Sequence, residues 1–471
     1  MNRRAGVIGA GPNGVAAAIV LAQSGLQVDV FEAEPQAGGG ARTLELTLPG
    51  FHHDFGSAVH PLAIGSPFFS SLPLHQHGLE WIHSPAALAH PFDDGTAITL
   101  ERDLGVTAAS LSPDGKAWQR LFAPFAERWK ELAQGVLGPI RLMPRHPWLL
   151  AKFGMRAFLP ATTLTRIFSS ERTRAVFAGL AAHSLLSLNE AGSSAAAVML
   201  GAALHSVGWP IPRGGAAAIT HALCSHLGDL GGSVKTSRRI ENITELSEYD
   251  LILCDVTPRQ LLKIAAGRFS SSYQRRLAKY RYGPGVFKVD YALHAPIPWK
   301  AKACLRAATV HLGATFEEIT ASEQSLRSGH LAERPFVLLS QPTLFDPTRA
   351  PEGKHIAWAY CHVPNGSSVD MLTRLEAQIE RFAPGFRDCI LAKRVFSPTA
   401  LEAMDANLVG GDIGGGAMNL KQIFLRPTWR GYATSARDVY LCSSSTPPGP
   451  AVHGMCGYHA AKLALSRVRA S

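Results

Sequence analysis

Residues 4–43 limit most narrowly what this chain can become. Ala5 to Gly9 reads as a short apolar strand, Val15 to Ser24 as an alanine-rich helix closed by Gly25, and Val28 to Phe31 as a second strand. Gly9, Gly11 and Gly14 stand in G-x-G-x-x-G spacing before the helix, and Glu32 ends the second strand. Strand, glycine turn, helix, strand and acid in that order are what holding a dinucleotide requires. Gly9 permits the tight turn, Gly11 lets backbone approach a pyrophosphate, and Gly14 lets the helix pack close to the sheet. The helix N-terminus presents free N–H groups and a positive dipole end to the phosphates. Glu32 stands where a carboxylate can accept hydrogen bonds from ribose hydroxyls. Arg3 and Arg4 before an apolar run also fit a secretory leader, but the run has no cleavage site and continues into Val28–Glu32.

The motif alone does not choose between NAD and FAD; the segment after Glu32 does. Ala33 leads through Glu34-Pro35-Gln36-Ala37 to a second glycine turn, Gly38-Gly39-Gly40, then Ala41 and Arg42. This continuation resembles the FAD-binding pattern of the glutathione-reductase-like flavoproteins, and within them the amine oxidase and phytoene desaturase branch. The resemblance runs from Arg4 to Ala464. It implies an α/β fold in which a Rossmann-like FAD-binding domain is interleaved with a mixed β-sheet plus helical substrate domain. The expected pieces are 1–85, 209–285 and 401–471 for FAD, and 86–208 and 286–400 for substrate. It implies cofactor contacts at Gly9, Gly11, Pro12, Asn13, Gly14, Glu32, Ala33, Gly39, Gly40, Ala41 and Arg42. Further along it implies them at Ile240, at Thr257 before Pro258, and at Val452, His453, Gly454 and Met455. The Gly-Asp pair usual after the last strand is replaced by Ser443-Ser444-Ser445-Thr446. His453 and Cys456 are possible covalent flavin anchors, though a simple turn cysteine is the plainer reading of Cys456. In this branch the Gly56-Ser57-Ala58-Val59-His60-Pro61 segment passes near the flavin ring, which makes His60 the catalytic candidate beside its alternative as a backbone-satisfied histidine.

Composition bounds the rest. With 471 residues, 46% of them hydrophobic, the chain can bury a large core in two or three domains. Seven scattered cysteines without C-x-x-C fit a reducing cytoplasmic setting and argue against a dithiol relay. No apolar run reaches the roughly 18 residues of a spanning helix. The net charge of +10 does not come as a basic run interleaved with aromatics, so no nucleic-acid partner is expected. Cations gather loosely at Arg128–Arg174 and Arg275–Arg281. A solvated basic face is the plain reading, and a peripheral membrane contact the alternative. His75 and His77 lack an acid or cysteine at ligand spacing, so no metal is expected.

Along the chain, Leu44–Asp54 reads as a strand pair and Phe92–Thr96 as a hairpin turn. Trp118, Leu121, Phe122, Phe125 and Trp129 recur at helical spacing and open a helical block that runs through Arg141–Pro147 to Val207. Val286–Leu293, Phe336–Ser340 and His355–Val363 alternate like sheet strands, with Lys288 more plausibly structural than catalytic. A single dinucleotide fingerprint, without a second for NADPH, points to an electron acceptor that enters by the substrate cavity, O2 or a quinone. The implied chemistry is hydride transfer between an apolar, polyene or isoprenoid-like substrate and flavin N5. A flavin amine oxidase is the enzyme alternative, weakened because Tyr432 and Tyr440 form no Trp–Tyr couple before the C-terminal motif. A non-catalytic FAD-containing binding or assembly protein is the other. Oligomeric state is not legible.

Overall fold

The computed structural model describes residues 3–139, 144–329 and 331–470. Arg141, Leu142 and Met143, read above as part of the helical block, lie outside them.

Two sheets organise the chain. The first is parallel and five-stranded, in the order Val439–Leu441, Leu251–Cys254, Arg4–Ile8, Gln27–Phe31, Ser233–Lys235. Its central strands are buried on both faces, which is why they read as continuous apolar runs rather than alternating ones. The first helix, Pro12–Ala22, begins three residues earlier than its alanine-rich run suggests. Proline is tolerated there because a helix's first N–H has no partner anyway. The C-terminal helix Met455–Ala470 lies against it, closely enough that a Cβ on Gly457 would stand 1.8 Å from the Asn13 carbonyl oxygen.

The second sheet is mixed and seven-stranded, in the order Ile390–Phe396, Gly285–Leu293, His355–Val363, Val337–Ser340, Ala307–Leu312, Ala86–Pro91, Ala97–Leu100. All its pairings are antiparallel except Ala307–Leu312 with Ala86–Pro91. The two-residue period of a strand sorts its faces. Phe287, Val289, Tyr291, Ala357, Ala359 and Cys361 pack into a core that includes the helix Leu372–Phe382. The intervening residues face the other way. Register lines up Phe396, Lys288, Tyr360, Leu338 and His311 in one row across five strands.

Over that face stands the helical block, with helices at Gly115–Ala126, Trp129–Val136, Pro147–Ala157, Glu171–Ala182 and Ser194–Val207. The aromatic stripe in its first two helices is core: Trp118, Phe122 and Phe125 are fully buried, and Trp118 donates to His205. The expected strand pair is present as Thr43–Glu45 with His52–Asp54.

Candidate functional site

A cavity of about 1480 Å³ begins at the glycine turn and ends under the helical block. Ordinary small-molecule sites span roughly 300–1,000 Å³, so there is room for a dinucleotide and something beside it.

At the nucleotide end, Gly9 turns the chain at φ +96°, a conformation that side-chain-bearing residues avoid. Gly14 is walled in: a Cβ there would stand 2.0 Å from the Gly9 carbonyl oxygen. It does not line the cavity; its role is close packing. The helix N-terminus at Gly11 carries no side-chain cap, so its end is open to an anion. Glu32 is buried and fixed by two backbone donors, Ala10 N–H to Oε2 at 2.8 Å and Glu34 N–H to Oε1 at 3.0 Å. Both oxygens keep a lone pair for a ribose hydroxyl. Asn13 lines the cavity, with a buried Oδ1 that has no hydrogen-bond partner.

The second glycine turn folds over the first: Gly38 N–H donates to the Ala10 carbonyl, and a Cβ on Gly39 would meet Gly11 Cα at 3.5 Å. Arg42 is almost fully buried. Its Nε donates to Gly39 O at 2.9 Å and one terminal nitrogen to Met404 O at 2.8 Å, while the guanidinium lies 4.9 Å from the Phe55 ring centre. It is a locked cation on the cavity wall, not a surface arginine.

The structure brings most of the sequence-predicted residues to this one cavity: Gly9, Gly11, Pro12, Asn13, Glu32, Ala33, Gly39, Gly40, Ala41, Arg42, His60, Ile240, Val452, His453 and Met455 all line it. Gly454 and Thr257 do not. Gly454, at φ +68°, packs against Phe69 and Ala16. Thr257 sits at the N-terminus of the Pro258–Ala265 helix and gives its N–H to Asn407 Oδ1 at 2.9 Å. The cavity positions after the Leu251–Cys254 strand belong to Asp255 and Val256 instead.

Asp255 is the residue that sequence reasoning missed. Its Oδ2 accepts from Gly14 N–H at 2.9 Å and stands 2.7 Å from where a Cβ on Gly11 would be. Burial, with Asp405 and Glu32 nearby, pushes its carboxyl up to about 7, against the pull of the Gly14 hydrogen bond. The available signal was position: it is the first residue past the carboxyl end of a parallel strand, where open α/β sheets place ligands.

At the far end, His60 is buried, with its backbone N–H bonded to Pro210 O. Burial lowers its ring to about 4, so it is neutral at pH 7. Lys288 faces the cavity from the sheet, ion-paired to Asp290, with Nζ 5.7 Å from the Trp358 ring centre. Trp358 and Tyr360 stack at 5.6 Å, and His183 reaches His311 at 3.2 Å between Nε2 atoms. The remaining wall is largely apolar, with Leu150, Phe153, Met199, Leu200 and Leu338 among its residues. Tyr432 and Tyr440 give their hydroxyls to Pro447 O and Arg437 O and do not line the cavity. Cys456 does not line it either, and burial pushes its thiol up to about 12. His453 is buried, accepts from Met455 N–H at 3.1 Å, and is lowered to about 3.

The family described as NAD(P)-binding Rossmann-like domain matches residues 7–68. Pyridine nucleotide-disulfide oxidoreductase domain-containing protein 2 of Rattus norvegicus is 25% identical, over 97% of this chain and 92% of its own length. Phytoene dehydrogenase of Streptomyces griseus is 26% identical, over 82% and 77% respectively. In fold, the chain is similar to cyclohexylamine oxidase from Brevibacterium oxydans, with a TM-score of 0.58 at 14% identity, covering 100% of this chain and 99% of that one. This chain is an FAD-type oxidoreductase, similar in sequence to phytoene desaturases and in fold to an amine oxidase. The residues of the oxidoreductase fit its cofactor. The uncapped helix end and Cβ-free Gly11 suit a pyrophosphate, and Glu32 suits a ribose. The orphaned Asn13 Oδ1 gives the cradle a further polar atom.

Proposed function

We propose that the oxidoreductase removes hydrogen from an apolar, polyene or isoprenoid-like substrate and passes the electrons to O2 or a quinone. What carries this reading is the continuity of one cavity, from the glycine turn to the apolar wall of the helical block. When bound, FAD supplies a two-electron acceptor for a hydride. The glycine turn, Glu32, Asn13 and Arg42 would hold and orient it, with Ile240, Val452, His453 and Met455 on the same cavity wall. Leu150, Phe153, Met199 and Leu200 would exclude water and align the substrate chain. His60, kept neutral by its burial, would receive the proton that the substrate loses with the hydride. Lys288, paired with Asp290, stands at the cavity floor. An apolar substrate partitions into lipid, so a peripheral membrane contact belongs to the same reading.

The first measurement is the absorbance spectrum of the purified protein, before and after acid precipitation, then anaerobic titration with apolar polyenes. Flavin in the supernatant and bleaching by a polyene are the expected results. Protein that cannot be loaded with flavin, or flavin reduced by dithionite but by no polyene, overturns the proposal. Amine oxidation is the alternative that likeness of fold keeps in view, and peroxide released over an amine panel would establish it. The two tyrosines nearest to an amine cage in sequence turn away from the cavity, which weighs against it.

A further inference from the structure

His183 is the first residue past the helix Glu171–Ala182, and it lines the cavity. Its Nε2 stands 3.2 Å from Nε2 of His311, a fully buried residue of the Ala307–Leu312 strand. Burial keeps both rings uncharged at pH 7, with His183 lowered to about 3. Two neutral imidazoles that meet through Nε2 hold complementary tautomers: one carries the proton there and the other accepts it. The Nε2 of His183 is thereby spent within the protein, and Nδ1 is the group it has left for the cavity.

Three features of the surroundings hold this pair in place. Gly179 lies inside the Glu171–Ala182 helix, where glycine weakens a helix relative to alanine. A Cβ there would stand 2.7 Å from His311 Nδ1, so the glycine makes room for the second ring. Just past His183 the chain turns at Leu185 with φ +57°, a conformation that a leucine adopts only at a cost and that gathers at functional sites. Trp209 meets the His183 ring edge-on, centres 6.2 Å apart, and is itself fixed by Nε1–H donation to Thr309 Oγ1 at 3.0 Å. Thr309 and His311 share one face of the Ala307–Leu312 strand, so a single strand orders both neighbours of His183.

The wall beside His183 is largely apolar. Leu185 and Leu186 follow it in sequence, Leu338 is the cross-strand partner of His311, and all three line the cavity. Ser184, between them, turns its oxygen to the Leu186 N–H at 3.3 Å. A polar atom set in such a wall fixes the orientation of a ligand and selects for a matching group on it. A pure hydrocarbon would displace water from that atom and leave it unpaired, which costs binding. A hydroxyl group suits either tautomer, because it both donates and accepts; a carbonyl suits only the one in which Nδ1 carries the proton.

We propose that His183 hydrogen-bonds a hydroxyl group carried by an otherwise apolar substrate, and that His311 is the positioning residue that holds its ring. This substrate class rests on the apolar-substrate reading above and narrows it from a hydrocarbon to an isoprenoid-like alcohol. The bond sets where along the cavity the apolar chain lies, and so which of its carbons can face the flavin.

The test is anaerobic binding of farnesol and of farnesene, its hydrocarbon counterpart, to the oxidised FAD-loaded protein, read by the change in flavin absorbance on mixing. The ratio of the two affinities is the quantity to follow, because it cancels what the apolar chain contributes. His183→Gln keeps a polar atom toward His311 and loses the one toward the cavity. It should lower the farnesol-to-farnesene ratio about tenfold, the worth of one hydrogen bond, with farnesene binding unchanged. His183→Leu should lower the ratio equally and stands in should the glutamine variant not fold. His183→Asn keeps the cavity-side atom and should hold most of the wild-type ratio. His311→Leu should lower the ratio several-fold by freeing the ring, with flavin content unchanged. A ratio that stays at the wild-type value in His183→Gln or His183→Leu overturns the hydroxyl contact and leaves the apolar-substrate reading standing. The full ratio in His311→Leu overturns the positioning role. Binding of neither ligand to the wild type brings down the apolar-substrate reading, and the hydroxyl contact with it.

Discussion

Asp255 and Glu32 are two carboxylates at the ends of strands in one sheet, held by different donors. Glu32 accepts from two backbone N–H groups that fix it toward the cavity. Glu32→Ala removes two charge-assisted bonds together with the ribose acceptor, each bond being worth about 1.5–3 kcal/mol. FAD affinity, read by titrating apoprotein with flavin, should fall at least about tenfold, while Glu32→Gln should lose less. Burial, helped by the nearby acids Asp405 and Glu32, raises the folded pKa of Asp255 from 3.8 to about 7 against the pull of its one donor, Gly14. A raised acid contributes stability that is full below about 4 and lost as pH rises through 7. Above 7 it also sets a negative charge beside the place where the pyrophosphate is expected. Flavin affinity should therefore decline between about pH 6 and 8, and Asp255→Asn should flatten that decline. An unchanged slope in the variant would assign the effect to another group.

At the scale of elements, what the sequence made legible was whatever rests on local geometry. The glycine turns, the alanine-rich helix, the Thr43–Asp54 strand pair and the hairpin at Phe92–Thr96 are fixed by φ requirements and short-range pairing, which residue type reports directly. Strands Gly285–Leu293 and His355–Val363 were readable because one face packs on the core and the other on the cavity. The strands Ala307–Leu312 and Ile390–Phe396 and the helix Phe316–Ser328 were not singled out. The first is buried on both faces and shows no alternation, while the second is an edge strand with only Phe396 buried. In the site, the turn residues were legible, but Asp255 and the Lys288–Tyr360–His311 row depend on register across strands distant in sequence. Gly457 shows the same limit: nothing local marks it, yet the C-terminal helix can approach Asn13 only without a Cβ there. Gly457→Ala should push that helix off the first one. Overpacking of this kind typically costs about 1–3 kcal/mol, so a lower melting temperature with partial loss of flavin is expected. Gly228→Ala, where a Cβ meets nothing, is the control.

On the scale of the whole molecule, buried histidines set the acid limit. His53, His60, His90, His183, His205 and His453 are all lowered by burial, to between about 3 and 4. Each is neutral in the fold and takes up a proton on unfolding below about pH 6.5. That uptake sets the sign: a depressed histidine contributes stability that is full above about 6.5 and lost as pH falls toward its folded pKa. By pH 5 each such group has lost about 2 kcal/mol, and six together reach on the order of 10 kcal/mol. Asp255 and Asp290, raised to about 7 and about 6, act in the opposite sense and offset part of that loss. The remainder is still comparable with the roughly 5–15 kcal/mol that holds a folded domain. Unfolding should therefore set in between about pH 6 and 4.5, above the range in which ordinary carboxylates titrate. Denaturant midpoints taken across that interval would show it. His90, which lies away from the cavity with Nε2 bonded to Ala314 O at 3.0 Å, offers the clean variant. His90→Gln keeps a donor to that carbonyl and cannot protonate. It should shallow the slope below pH 6 while leaving flavin content at pH 7 unchanged. A slope equal to that of the wild type would move the acid limit to the carboxylates.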